Sequence, residues 1–170
     1  VYMVDSMNLS SGVGLIAMKA ARFAEDGLSA KEIAKKAQAL APKVETAFVI
    51  DTMEYLHKGG RCSGIASFVG TVLKIKPIIH VVDGGMIVGS KPRGRSKAYD
   101  ILLNKIYDDK DRLDNEFVMV THSLNFEAAK FLKEELAKNL EIENLYETTA
   151  GCVISSHCGR GTIGILYITK

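Results

Sequence analysis

The sequence predicts a mixed α/β fold, a sheet with helices packed on it. Three observations lead there. Apolar strand-like runs alternate with helix-period segments from one end of the chain to the other. An Asp-Gly turn inserts a hairpin near the middle. The composition, 47% hydrophobic and 25% charged over 170 residues, is that of an ordered soluble domain with a substantial core.

Taken in order, VYMVDS at 1–6 reads as a strand. A helix follows from Gly12 to Glu25, with Leu15, Met18, Ala21 and Phe23 at helical spacing and Gly27 as its stop. The next helix opens on a capping box, Ser29 with Glu32, before Ile33, Ala37 and Leu40, and Pro42 marks its exit. TAFVID at 46–51 is a second strand, and a short helix from Thr52 to Lys58 stops at Gly59. SGIASFVGTVL reads as a further apolar helix with Ser63 as its cap. KPIIHVVD and MIVGS flank Asp83, Gly84 and Gly85 and pair as a hairpin. Beyond the basic turn KPRGRSK come a helix from Ser96 to Tyr107, a charged loop DDKDRLD read as solvated surface, and the strand EFVMVTH at 116–122. A patterned helix spans Asn125 to Asn139, with Ala128, Ala129, Leu132 and Leu136 on one face, and IENLYETT and ILYIT supply the last strands. No fixed-period repeat, low-complexity linker or heptad pattern is present.

Several function classes are excluded. A net charge of +2, with Lys and Arg scattered, argues against a nucleic-acid partner. Cys62, Cys152 and Cys158 form no CxxC or Cys/His ligand spacing, which predicts reduced thiols in a cytosolic, cytoplasmic protein and no metal. His57, His80 and His122 lack ligand spacing and read as structural. No apolar run reaches spanning length and no signal-peptide pattern occurs, so no transmembrane segment is expected. The chain opens at Val1 inside a strand-like segment, which suggests a fragment of a longer protein.

Two glycine-rich segments carry the chemistry: Gly59-Gly60-Arg61 at the end of YLHKGGR, and SSHCGRG at 155–161, read as a turn bearing His157. Glycines let the backbone approach a bound group, while arginine, histidine and hydroxyls supply donors for a carboxylate or phosphate. On spacing alone the glycines equally end a helix in the left-handed position, and His157 equally serves a structural hydrogen bond. Arg93 and Arg95 flank Gly94 and project from a turn, either as solvated charge or as a docking surface for an acidic or phosphorylated partner. A nucleophile reading of Cys158 beside His157 is disfavoured because sequence neighbours rarely meet as nucleophile and base. The VDSMNLSSGVG opening has a strand-turn-helix form but no complete phosphate-loop pattern.

VDSMNLSSGVG, the block from VIDTMEYLHKGGRCSG through LKIKPIIHVVDGG to KPRGRSKA, and ISSHCGRGTIG resemble, in order and spacing, the DegV family of bacterial fatty-acid-binding proteins. The resemblance implies a two-domain α/β protein, of which residues 1–45 are a strand-helix-helix remnant of the first domain and residues 46–170 the C-terminal lipid-binding domain. It implies a non-catalytic carrier that binds one long-chain fatty acid, without a cofactor, and presents its carboxylate to a fatty acid kinase. By matching motifs, Arg61, His157 and Ser156 fall on the carboxylate side, and Arg93 and Arg95 face the kinase. The chain departs from the family pattern at Arg160, where a proline is expected. Phe68, Leu73, Ile75 and Ile78 are candidate walls of the acyl pocket, with plain core as the competing reading. Two other classes stay open: a hydrolase or phosphoryl-transfer enzyme using His157 and Arg61, and a structural fragment in which these turns only close helices.

Overall fold

The computed structural model describes residues 1–60 and 74–170. Among them the elements run α1 (Ser11–Glu25), α2 (Ala30–Leu40), β1 (Val44–Val49), α3 (Glu54–Lys58), β2 (Ile78–Val82), β3 (Gly85–Val88), α4 (Arg95–Asp108), β4 (Leu113–His122), α5 (Phe126–Asn139), β5 (Asn144–Thr149), α6 (Cys152–Cys158) and β6 (Ile163–Thr169). The strands form one sheet in the order β3-β2-β1-β6-β4-β5. Every neighbouring pair is antiparallel except β4 and β5, which α5 connects as a parallel crossover. The mixed α/β sheet expected from the sequence is therefore present.

The central strands are apolar on both sides because helices cover both faces. On one face, Ala47, Val49, Val120, Ile163, Ile165 and Tyr167 pack against Leu102 and Ile106 of α4 and Ala129, Leu132 and Leu136 of α5 as one continuous core. The opposite face is covered in two separate patches. Leu15, Ile16 and Ala37 of α1 and α2 meet Val44, Phe117, Met119, Leu166 and Ile168. Beside them Leu56 and Cys158, from α3 and α6, meet Phe48, Ile50 and Ile79. Helices α1 and α2, which the sequence places in a separate unit, thus share the core of this sheet.

Local signals are realised where they are strongest. Ser29 Oγ accepts from the Glu32 N–H at 3.4 Å and the Glu32 carboxylate accepts from the Ser29 N–H at 2.9 Å, completing the capping box. Asp83 and Gly84 take φ of 50° and 74°, the left-handed pair of a tight hairpin turn, between β2 and β3. Lys19 reaches from α1 to Asp114 and Glu116, 2.5 Å from each, where a bulge shifts the register of β4.

Three expectations are corrected. Residues 1–6 form no strand: Gln38 of α2 pairs with both the N–H and C=O of Asp5, at 2.9 Å each. The side-chain amide takes the backbone groups that a neighbouring strand would otherwise pair. The charged loop is only partly solvated, because α4 runs on to Asp108 and the buried Asp109 accepts from the Tyr167 hydroxyl at 2.6 Å and pairs with Arg112 at 2.9 Å. SSHCGRG is mostly helical, with Ser155 to Cys158 inside α6. The predicted apolar helix SGIASFVGTVL lies outside the described residues.

Candidate functional site

The two glycine-rich segments touch. A methyl group at Gly59 would overlap Nδ1 of His157 and stand 2.7 Å from its Cε1. One at Gly159 would stand 2.6 Å from Cε2 of Tyr55. Helix α3 and helix α6 therefore interlock, each placing an aromatic ring where the other has no side chain. Gly59 has φ −77° and ψ 0°, a conformation open to any residue, so the His157 ring and not the backbone calls for glycine there. The left-handed residue is Gly60, with φ 67°. Nδ1 of His157 is buried and has no hydrogen-bond partner among the described residues.

His157 lies in the last turn of α6, and Gly159 at φ 82° ends that helix. Serine, valine and isoleucine are weak helix formers, which is why CVISSHC does not announce itself. The signal that could have found it is the spacing of Ala150, Ile154 and Cys158, four residues apart on one apolar stripe. Ser156 is exposed and donates its hydroxyl to the Val153 carbonyl at 2.8 Å, along its own helix. Ser155 is the inward hydroxyl, accepting from Ser123 Oγ at 3.0 Å and donating to the Ala150 carbonyl at 3.1 Å. Arg61, Phe68 and Leu73 lie outside the described residues.

Next to His157 a narrow apolar cavity of about 30 Å³ lies between the two patches that cover this sheet face. Its walls include Leu9, Phe48, Ile154, Cys158 and Leu166, with Gly164 in the floor. A methyl at Gly164 would stand 2.7 Å from the Ala47 carbonyl, so the floor is bare backbone. The threonine hydroxyls in the walls are already occupied, while Ser10 also lines the cavity and makes no cap bond to α1. Thr46 donates to Asn8 Oδ1 at 3.0 Å, Thr162 to the Cys158 carbonyl at 2.9 Å, and Thr121 bonds Ser11 and Thr148 at 2.8 Å each. The surface offered to a guest is hydrocarbon. Burial pushes the Cys158 thiol up to about 11. Ile78 lies on the opposite sheet face with Ala98 and Leu102, and the half-buried Ile75 bridges the backbone of Arg93; neither lines this cavity.

The two arginines of the basic turn differ. Arg93 is exposed, and its side chain has no partner among the described residues. Arg95 is held at two points by Asp51: its Nε donates to Oδ1 at 3.2 Å and a terminal nitrogen donates to Oδ2. Lys76 joins the same carboxylate, Nζ to Oδ1 at 2.9 Å. Burial opposes the charge on Asp51 most strongly, yet Arg95 and Lys76 together hold its carboxyl below the ordinary carboxylate value. Asp51 goes unnoticed in the sequence because its partners are 25 and 44 residues away, a separation that no local rule reads. His122 is buried, its Nδ1 accepts the Asn125 N–H at the start of α5 at 3.1 Å, and its Nε2 lies 3.3 Å from Glu147 Oε1. Among the described residues, no group of three or more His, Cys, Asp or Glu is placed to hold a metal ion, and no helix is long and apolar enough to cross a membrane.

Comparison with known proteins matches this architecture. The family model described as "Uncharacterised protein, DegV family" covers residues 1–170. A DegV domain-containing protein of Clostridium acetobutylicum is 34% identical over 171 residues, spanning 100% of this chain and 60% of the relative. A DegV lipid-binding protein from Thermotoga maritima superposes with a TM-score of 0.88 at 30% identity, over 99% of this chain and 59% of the other. A DegV family protein from Thermus thermophilus, described for its fatty acid binding, gives 0.88 at 29% identity, over 98% and 60%. The chain spans about three fifths of the length of the relatives it matches. With the family model matched from first residue to last and the sheet superposing on solved members, the chain belongs to the DegV family.

Proposed function

We propose that this chain is the lipid-holding part of a cytoplasmic bacterial carrier, binding one long-chain fatty acid and presenting its carboxylate to a fatty acid kinase. The observation that carries the reading is the junction of head and tail sites. His157 packs on Gly59, two residues before Arg61, while its chain neighbour Cys158 lines an apolar cavity. The fatty-acid and lipid binding of the Thermus and Thermotoga relatives supports the same assignment. Residues 46–170 supply most of the sheet, and residues 1–45 contribute α1 and α2 over one of its faces and Leu9 to the cavity wall.

The energetics divide the same way. Each buried methylene contributes about 0.8 kcal/mol, so a chain of roughly fifteen carbons supplies on the order of ten kcal/mol before the costs of association. Ligand pockets usually measure about 300–1,000 Å³; the cavity of about 30 Å³ marks one stretch of the chain's course. The carboxylate cannot enter hydrocarbon unpaired, and Arg61 with His157 meets it at the mouth. In the kinase reaction a carboxylate oxygen attacks the γ-phosphorus of ATP, ADP leaves, and the acyl-phosphate forms on the carrier. Arg93, exposed and uncommitted, is the docking cation; Arg95 is engaged by Asp51. No orienting partner stands at Nδ1 of His157 among the described residues, which favours a carrier over an acid-base catalyst.

Native mass spectrometry of the full-length protein tests this. A fatty acid co-purifying with the wild type and lost from Arg61→Ala and His157→Ala is the expected result. An empty wild type after expression in lipid-rich cells, or turnover of an acyl ester by the isolated protein, overturns it.

A further inference from the structure

Asp51 gathers groups that are far apart in sequence. It stands just beyond β1, and its carboxylate holds Lys76, 2.9 Å from Nζ, and Arg95, the first residue of α4. Its Oδ2 also lies 3.0 Å from where a side chain at Gly161 would begin, so the loop after His157 closes directly onto it. That loop is fixed from the other side. The Gly161 N–H donates to the Ser123 carbonyl at 2.7 Å, and the Gly161 carbonyl accepts from Asn125 Nδ2 at 2.7 Å.

The segment at 74–76 passes this constraint to the basic turn. Its Lys76 side chain is anchored on Asp51, while its backbone pairs with the turn: the Lys76 N–H donates to the Pro92 carbonyl at 2.9 Å, and the Gly94 N–H to the Lys74 carbonyl at 2.8 Å. Arg95 ties the far end of the turn to the same carboxylate. Arg93 sits between these two anchors with its side chain in solvent. Without Asp51, three cations, Lys76, Arg93 and Arg95, would crowd one turn with no counter-charge from that side.

We infer that Asp51 is a positioning residue: it neutralises Lys76 and Arg95 and sets the 92–94 turn at a fixed place beside the His157 loop, so that Arg93 is the cation presented to an acidic surface of the partner. This rests on the carrier reading, in which Arg93 faces the kinase. Asp51 itself touches neither lipid nor nucleotide.

The test is steady-state phosphorylation of the lipid-loaded, full-length protein by the kinase with ATP, varying carrier concentration. Asp51→Asn, which keeps the side-chain shape, raises KM for the carrier about tenfold with kcat within about twofold, and lipid retention by native mass spectrometry is unchanged. Arg95→Gln reproduces part of the shift, and the double variant is no worse than Asp51→Asn alone, because Arg95 acts through the Asp51 carboxylate. Asp51→Glu, which restores the charge, recovers KM to within about threefold of wild type. An unchanged KM overturns the inference while leaving the carrier reading intact. A lowered KM also overturns it, since extra positive charge would then matter more than placement. Multiplying effects in the double variant do the same. Absence of wild-type phosphorylation sinks the carrier reading and this inference with it.

Discussion

Replacing Gly59 with alanine isolates the contact between the two glycine-rich segments. At φ −77° and ψ 0° the backbone accepts alanine freely, and loss of glycine's unfolded-state freedom stabilises the protein by about 0.4–1 kcal/mol. The added methyl, however, would stand 2.7 Å from Cε1 of His157 and overlap Nδ1. Carbon atoms in contact settle at about 3.5–4.0 Å, so the ring must retreat by roughly 1 Å or more. A hydrogen bond lengthened by that amount leaves the usual range of about 2.7–3.2 Å and is lost. Bonds to charged groups contribute about 1.5–3 kcal/mol, and the expected loss of fatty-acid affinity is therefore about ten- to a hundredfold. The assay is displacement of a fluorescent fatty acid from the full-length protein, with thermal unfolding run in parallel. Gly59→Ala should lose affinity with only a modest fall in melting temperature, since an overpacking cost of about 1–3 kcal/mol is partly offset by the gain from removing glycine. Unchanged affinity refutes the role of His157 at the carboxylate, and a collapse of Tm shows that the ring's position is a stability feature instead.

Other expected outcomes follow the same geometry. Gly60→Ala, at φ 67° with no atom within 4 Å of the new methyl, loses about 1–2 kcal/mol through backbone strain, read as a lowered denaturation midpoint; no change in stability contradicts that conformation. Thiol-reactive reagents at pH 7–8 should label the exposed Cys152 and spare Cys158, whose thiol is held up at about 11, and peptide mapping distinguishes them. Asp51 is depressed below its unfolded value of 3.8, so the stability of its ion pairs is complete above that value and is lost as pH falls through the folded value. Thermal unfolding from pH 7 to pH 3 should show a smaller acid loss for Asp51→Asn than for wild type. Leu132→Ala, fully buried beneath α5, costs about 2–5 kcal/mol and lowers Tm. Ile154→Arg, in the half-buried cavity wall, should abolish lipid retention.

What the sequence makes legible is what local rules encode. The capping box at Ser29, the Asp83-Gly84 hairpin and the α5 stripe through Leu132 and Leu136 depend on neighbours within a few residues, and all three stand in the fold. The strand signature at residues 1–6 is not realised, since strand pairing depends on partners far from the segment and Gln38 takes the Asp5 backbone instead. Helix α6 is hidden by weak helix formers and declared only by the spacing of Ile154 and Cys158. At the site, the two glycine segments are visible as motifs, but their contact is not, because Gly59 is small for a ring that lies nearly a hundred residues away. Arg93 and Arg95 look alike in sequence, and only Asp51 tells them apart.

The two faces of the sheet differ in a way that bears on the proposed binding of an apolar chain. An apolar cavity weakens the structure around it, at about 24 cal/mol per Å³ in well-packed cores. Here the face under α4 and α5 is one continuous cluster that includes Ile106, Leu132, Leu136, Ile163 and Ile165, each no more than 1% exposed. That face supplies the stability. The other face is covered by two helix pairs with a gap between them, and the gap lies where β1 and β6 contribute Thr46 and Gly164, the least bulky positions on that side. Helices α1 and α6 flank this gap without closing it, while the α4–α5 face is packed throughout. On the proposed carrier reading, the head group belongs at the C-terminal end of α6, beside Gly59 and the Asp51 cluster. The proposed reading thus assigns binding and stability to opposite sides of one sheet, so the Leu132 and Ile154 substitutions should report on them separately.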